Sequence, residues 1–205
     1  MMPYIVTELK HTDKGRVQLC LNDEKKLWLY AAEARQLSLE EGVALSEEQY
    51  QKLLHEIIGK RAVKRAMHLL ERQGRTEYQL REKLLQSEYP AEAVEDAVSY
   101  VKQYHYVDDE RYARVFIRSH QEKRSKRRIR QDLMRRGVSD DIIDLCMEEE
   151  YDTSERAQIK ELLAKKSFSP DTADWQEYGR IYRFLLRRGF SGSDISAVMQ
   201  GRELF

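Results

Sequence analysis

The sequence predicts a mainly α fold: three tandem three-helix bundles in an elongated, curved array, preceded by a small β-stranded module. Three observations predict it. Sliding the chain by 49 and then 52 residues lays Leu80, Leu84 and Leu85 over Ile129, Leu133 and Met134, and then over Ile181, Leu185 and Leu186. The same shifts lay Gly137 over Gly189, and Val94 over Ile143 and Ile195; a period near 50 with helically spaced apolar residues is the signature of tandem helical units. Before residue 31 the pattern alternates instead, and the whole chain holds only nine Gly and three Pro, which favours helix elsewhere.

In chain order, the organisation expected is a β-rich module over residues 1–45, a first helical repeat over 46–106, a second and basic repeat over 107–152, and a third over 153–205. In the first module Tyr4, Val6, Val17, Leu19, Leu21, Leu27 and Leu29 alternate with polar neighbours, as in half-buried strands. Thr12-Asp13-Lys14-Gly15 and Asn22-Asp23-Glu24-Lys25 mark turns. Three short strands bury little alone, so the module should lean on the helices that come after it; residues 31–45 are ambiguous.

Ser46 with Gln49 is a capping box, opening a helix that runs to about Gln73 with a bend at Gly59 and a left-handed stop at Gly74. Thr76 with Gln79 opens the next helix, and Pro90 suits the first turn of a third, with Val94, Ala97, Val98 and Val101 inward. In the second repeat, Asp108 or Asp109 caps a helix bearing Ala113, Phe116 and Ile117. A second helix carries Ile129, Leu133 and Met134 and stops at Gly137, and Ser139 caps a third with Ile142, Ile143 and Cys146. The third repeat sets Ile159, Leu162 and Leu163, then, past a looser connection through Ser167 to Asp171, Ile181, Leu185 and Leu186, then Ile195 and Val198 after Gly189. Units of this size are too small to be robust alone, and neighbours are expected to support one another.

The 205 residues carry 36 basic and 36 acidic side chains, so total charge announces no partner. Its distribution does. From Arg111 to Arg136 there are eleven cations against Glu122 and Asp132; from Asp140 to Glu155 there are eight carboxylates and no cation. No apolar run approaches a membrane span and no secretory signal is visible. Cys20 and Cys146 lack metal-like spacing, which suits a reducing cytoplasm.

Catalytic motifs are not found. The glycines form no phosphate-cradling loop, and His55-Glu56 begins a zinc-protease-like pattern in which Gly59 stands where the second His belongs. The expectation is a non-enzymatic chain without cofactor or metal. The candidate site is the basic window. With Ile129 and Leu133 inward at about 100° per residue, Arg124, Arg127, Arg128, Gln131 and Arg135 project to the other side, while Arg111, Arg114 and Arg118 form a stripe on the preceding helix. Lys123, Lys126 and Arg130 assist, and Arg180, Arg183, Arg187 and Arg188 of the third repeat extend the track. Two cationic helices suit a phosphate chain or an acidic groove; the competing reading is a solvated face paired with the acidic segment. Tyr100, Tyr104, Tyr106 and Tyr112 are expected to fill the junction between the first two repeats, and Trp175, Tyr178 and Tyr182 to lie in core or junction.

Four stretches carry a family resemblance. They are Leu69-Leu70-Glu71-Arg72 with Arg75-Thr76-Glu77 and Leu80-Arg81-Glu82-Lys83-Leu84; Tyr106-Val107-Asp108-Asp109-Glu110-Arg111-Tyr112-Ala113 with Phe116; Arg128-Ile129-Arg130-Gln131-Asp132-Leu133 with Arg136-Gly137-Val138; and Leu185-Leu186-Arg187-Arg188-Gly189-Phe190. In this order the chain resembles the RecX regulatory proteins, bacterial modulators of the RecA recombinase, over about residues 60–200. It departs from the family pattern at His105, where Gly is usual, and at Ser125-Lys126, where Gly-Pro often opens the basic helix. The resemblance implies a cytoplasmic, non-enzymatic protein that binds along the groove of the RecA–single-stranded DNA filament, blocks its extension or promotes its disassembly, and so lowers ATP hydrolysis and strand exchange. Several such proteins also bind DNA directly. A monomer with no membrane contact is expected. The alternatives are a helical nucleic-acid-binding protein without a recombinase partner and a helical protein-interaction scaffold.

Overall fold

The computed structural model describes residues 3–12 and 15–200, so Asp13 and Lys14 of the first expected turn and the last residues of the third repeat lie outside the described residues. The chain divides into two compact units, residues 1–108 and 109–205.

The first unit opens with strands β1 (Tyr4–His11), β2 (Arg16–Leu21) and β3 (Lys25–Tyr30). Asn22 and Asp23 both take positive φ, 51° and 60°, which turns β2 tightly into β3. The register pairs Val17 with Leu29 and Leu19 with Leu27, so these apolar side chains share a face, and all four are buried. The ambiguous stretch holds a short helix, α1 (Ala31–Gln36), and a fourth strand, β4 (Ala44–Leu45), which pairs antiparallel with β1 and completes the sheet order β3-β2-β1-β4.

Ser46 caps α2 (Glu47–Gln51), accepting from the Gln49 N–H while the Gln49 amide oxygen accepts from the Ser46 N–H at 2.8 Å. The helix passes without a break through a π-helical stretch, Lys52–Gly59, into α3 (Lys60–Arg72). The expected bend at Gly59 is thus a widened helical segment, and Asp96 stands against Gly59, where an added Cβ would lie 3.2 Å from its Oδ2. Gly74 is not the expected left-handed stop: α3 ends because Gln73 turns extended, with φ −161°. Next come α4 (Glu77–Leu85), capped by Thr76, and α5 (Ala91–Gln103), for which Pro90 is the cap. One core joins Val6, Val17, Leu19 and Leu29 of the sheet to Tyr50, Leu53, Leu54 and Ile58 of the long helix and to Leu80, Leu84 and Val94.

The second unit holds two three-helix sets, each around its own core: α6 (Asp109–His120), α7 (Lys126–Met134) and α8 (Asp140–Glu150), then α9 (Glu155–Lys165), α10 (Trp175–Arg187) and α11 (Gly192–Met199). Two of the repeating apolar positions, Leu80/Ile129/Ile181 and Leu84/Leu133/Leu185, are buried in every copy. The third is not: Leu85, Met134 and Leu186 are 44, 48 and 42 % exposed. The turn after the middle helix also repeats. Gly137 and Gly189 have φ of 79° and 91°, and the same position in the first copy is Glu88, at 63°. Tyr89 and Val138 then donate back to the carbonyls of Leu84 and Leu133, closing the helix end as a left-handed cap does.

The aromatic expectations need correction. Tyr100, Tyr104 and Tyr106 are 42, 54 and 53 % exposed, and their rings stand in a row 4.7 and 6.4 Å apart. Tyr112 packs on the second core. Tyr178 and Tyr182 do join the third core, but Trp175, in the first turn of α10, is 87 % exposed; it lies over the outer side of the Tyr178 ring, 6.4 Å away, and not in the core.

Candidate cationic interface

The basic window divides into two parts. The first faces α8. Arg114 on α6 bonds to Glu110 at 2.6 Å and also to Glu149 and Glu150; Arg118, one turn on, clasps both oxygens of Glu150. The Arg118 guanidinium first, opposed by partial burial and helped by Arg114, holds the Glu150 carboxyl below the usual carboxylate range. Arg130 on α7 bonds Asp140 at 2.8 Å and also Asp144. These three cations therefore meet the acidic helix of their own repeat, although Arg118 remains 64 % exposed. Arg111 lies exposed on the outer side of α6.

The second part gathers at the start of α7. Arg124 is not on the helix as projected: it precedes the cap, Ser125, whose buried hydroxyl accepts from the Arg128 N–H at 3.1 Å. Asp132 is buried, and its carboxylate takes Arg124 at 2.7 Å and Arg128 at 3.2 Å, with Arg135 at 4.0 Å. This buried carboxylate fixes two guanidinium groups at the mouth of α7. Its sequence signal was the i, i+4 spacing of Arg128 and Asp132, which a count of charges hides. Lys123, Lys126 and Arg127 are exposed beside them.

The third repeat is bonded to this end of α7. The Ser125 N–H donates to the Arg188 carbonyl at 3.1 Å, the Lys126 N–H to Glu155 at 2.8 Å, and the Arg127 guanidinium to the Gly189 carbonyl at 3.4 Å. Gly189 is required here: a Cβ would sit 2.5 Å from Ser125 Oγ and 2.6 Å from Arg128 Cβ. Arg188 is half-buried, with its guanidinium 4.1 Å from the Phe184 ring centre. Burial first, then the charges of Arg124 and Arg187, push its pKa down. Cations of two repeats are thus brought within one field. Arg180, Arg183 and Arg187 continue along α10 at intervals of three and four residues, which share a face. Arg180 bonds Glu177 at 3.2 Å, and with Trp175, Gly179 and Arg183 it lines a shallow cleft of about 770 Å³.

Among the described residues no group of three His, Cys, Asp or Glu side chains is placed to hold a metal ion, and no helix is long and apolar enough to cross a membrane.

Family models for the three RecX three-helix domains match in order: the first over residues 62–100, the second over 108–147 and the third over 154–199. A regulatory protein RecX of Caldanaerobacter subterraneus subsp. tengcongensis is 34 % identical over 165 residues, covering 80 % of this chain and 81 % of its own. The RecX of Clostridium beijerinckii is 27 % identical over 199 residues, covering 94 and 92 %. Among solved structures, a regulatory protein RecX superposes over 96 % of this chain and 99 % of its own, with a TM-score of 0.60 at 21 % identity. RecX from Lactobacillus salivarius covers 71 and 96 %, with a TM-score of 0.57 at 18 % identity. Repeat pattern, helix order and relatives agree, and the chain belongs to the RecX family of regulatory proteins.

Proposed function

We propose that this protein is a cytoplasmic negative regulator of the RecA recombinase, binding along the groove of the RecA–single-stranded DNA filament so as to block extension or promote disassembly, with loss of ATP hydrolysis and strand exchange. The observation that carries this reading is the bonded joint between the second and third repeats. It assembles Arg124, Arg127, Arg128, Arg187 and Arg188 into one cationic field, with Lys123 and Lys126 beside it. A long acidic target needs contacts on more than one module, and many modest contacts on linked modules add up to firm binding. Arg111, Arg114, Arg118, Arg130 and Arg135, then Arg180 and Arg183, serve as the flanks of this field, the paired ones exchanging an internal carboxylate for an external one.

The test uses side chains that do not hold Asp132. Reversal of Lys123, Lys126 and Arg127 to Glu is expected to abolish inhibition of RecA ATP hydrolysis on single-stranded DNA while leaving helicity intact; unchanged inhibition rejects the patch. A second reading, a helical nucleic-acid-binding protein that needs no recombinase, is favoured by the 87 % exposed Trp175 beside Arg180 and Arg183, because an exposed ring flanked by cations suits an unstacked base. Undiminished binding to single-stranded DNA without RecA, with no effect on the filament, would select it.

A further inference from the structure

The N-terminal sheet and the first repeat enclose a second cleft, remote in sequence from the joint. It has a volume of about 460 Å³, within the ~300–1,000 Å³ of small-ligand sites. Its walls come from β2, β3, α3 and the turn after α4. The Arg16 guanidinium lies 4.5 Å from the centre of the Trp28 ring, and Arg61 lies 4.9 Å from Tyr30 and 5.7 Å from Tyr89. Arg61 is a structural tie, bonding Glu33 at 2.7 Å and the Trp28 carbonyl and so holding the sheet to α3. That tie explains neither of its neighbours. Arg65, one turn on, is exposed and makes no ion pair or hydrogen bond among the described residues. Among the described residues Arg16 has one long ion pair, 3.6 Å, to Glu88, a side chain 56 % exposed. Tyr30 is 51 % exposed at the rim. Three guanidinium groups and three aromatic rings thus line an open cleft with one carboxylate, Glu88; with Arg61 already paired to Glu33 behind it, Arg16 and Arg65 are the cations left for a ligand.

We propose that this cleft binds a nucleotide unit of a single-stranded nucleic acid, with a base against Trp28 and Tyr30 and the flanking phosphates on Arg16 and Arg65. Aromatic rings interleaved with guanidinium groups accept any base and follow the backbone by charge, and the long Arg16–Glu88 pair is readily exchanged for a phosphate, which would lift Arg16 from the Trp28 face. This site lies outside the repeat-2 and repeat-3 field and does not rest on the recombinase reading.

The experiment uses the full chain with Trp175→Phe. The sequence has two Trp, so Trp28 becomes the sole reporter, and Trp175 is exposed enough to be replaced without touching a core. Short oligothymidylate is expected to quench Trp28 emission saturably. Arg65→Glu and Tyr30→Ala, both exposed and both sparing Arg61, are each expected to shift the midpoint by about fivefold or more. Quenching that persists in the Lys123, Lys126 and Arg127 reversal background assigns the signal to the cleft rather than to the joint. The proposal is overturned if Trp28 emission stays unmoved while the anisotropy of a labelled strand reports saturation, if no strand binds, or if Arg65→Glu leaves the midpoint in place. Thymidine monophosphate that matches the oligonucleotide in midpoint overturns the strand as the ligand.

Discussion

At the scale of the residue, the left-handed turn that succeeds each middle helix shows how the repeats diverged without losing their shape. Gly137 and Gly189 adopt it freely; Glu88 does so with a Cβ in the way. A non-glycine residue in this region costs about 1–2 kcal/mol. The ion pair Glu88 makes with Arg16 is long and exposed, and such pairs contribute little. Glu88→Gly is therefore expected to stabilise the chain by about 0.5–1 kcal/mol, part of the gain being offset by the freer unfolded chain, as read from the midpoint of denaturant unfolding. His105 obeys the same logic. Its φ is 55°, a left-handed conformation that a glycine would take without strain. Asp132 was less legible. Within a window of cations it reads as a minor correction to the net charge, yet burial makes it the group that aims Arg124 and Arg128.

At the scale of the element, helix caps and core faces were the most legible features. Ser46 with Gln49, Thr76 with Gln79, and the buried pairs Leu80/Leu84, Ile129/Leu133 and Ile181/Leu185 arise from local rules that tertiary packing did not override. What local rules miss is width and partnership. Nothing in residues 52–59 announces a π-helical passage, because its apolar spacing also suits an ordinary helix. Trp175 was expected inside on account of its type, but its place in the first turn of α10 leaves it outside. The joint between repeats depends on Gly189 for space as well as for conformation, and the two demands separate experimentally. Gly42 has φ 85° with nothing within 4 Å of an added Cβ, whereas Gly189 would drive a Cβ into Ser125 and Arg128. Gly42→Ala is expected to cost about 1 kcal/mol from strain alone. Gly189→Ala should add about 1–3 kcal/mol of overpacking, weakening filament inhibition along with thermal stability. Equal costs for the two would show that the joint yields freely.

At the scale of the whole molecule, the three-repeat organisation was legible because period and polarity agree from one helical unit to the next; the fate of individual charges was not, because ion pairing is decided by which helix faces which. Arg114, Arg118 and Arg130 look like Lys123 and Arg127 in sequence, but the former meet the carboxylates of α8, whereas Lys123 is exposed and Arg127, also exposed, reaches the Gly189 carbonyl of the next repeat. A field of this kind predicts a definite salt response. With about six phosphates engaged, log affinity for single-stranded DNA should fall against log salt with a slope near −4. A flat response, measured by anisotropy across several salt concentrations, would exclude phosphate contact as the main source of binding.

The long helix that begins at Ser46 serves two masters: Tyr50, Leu53, Leu54 and Ile58 insulate the strands on one side and belong to the same interior as the first repeat on the other. A chain trimmed to its helices would bare an oily flank along that helix. It would stay dissolved only by hiding the flank against another molecule, which makes the small leading sheet the chain's own guard against clumping.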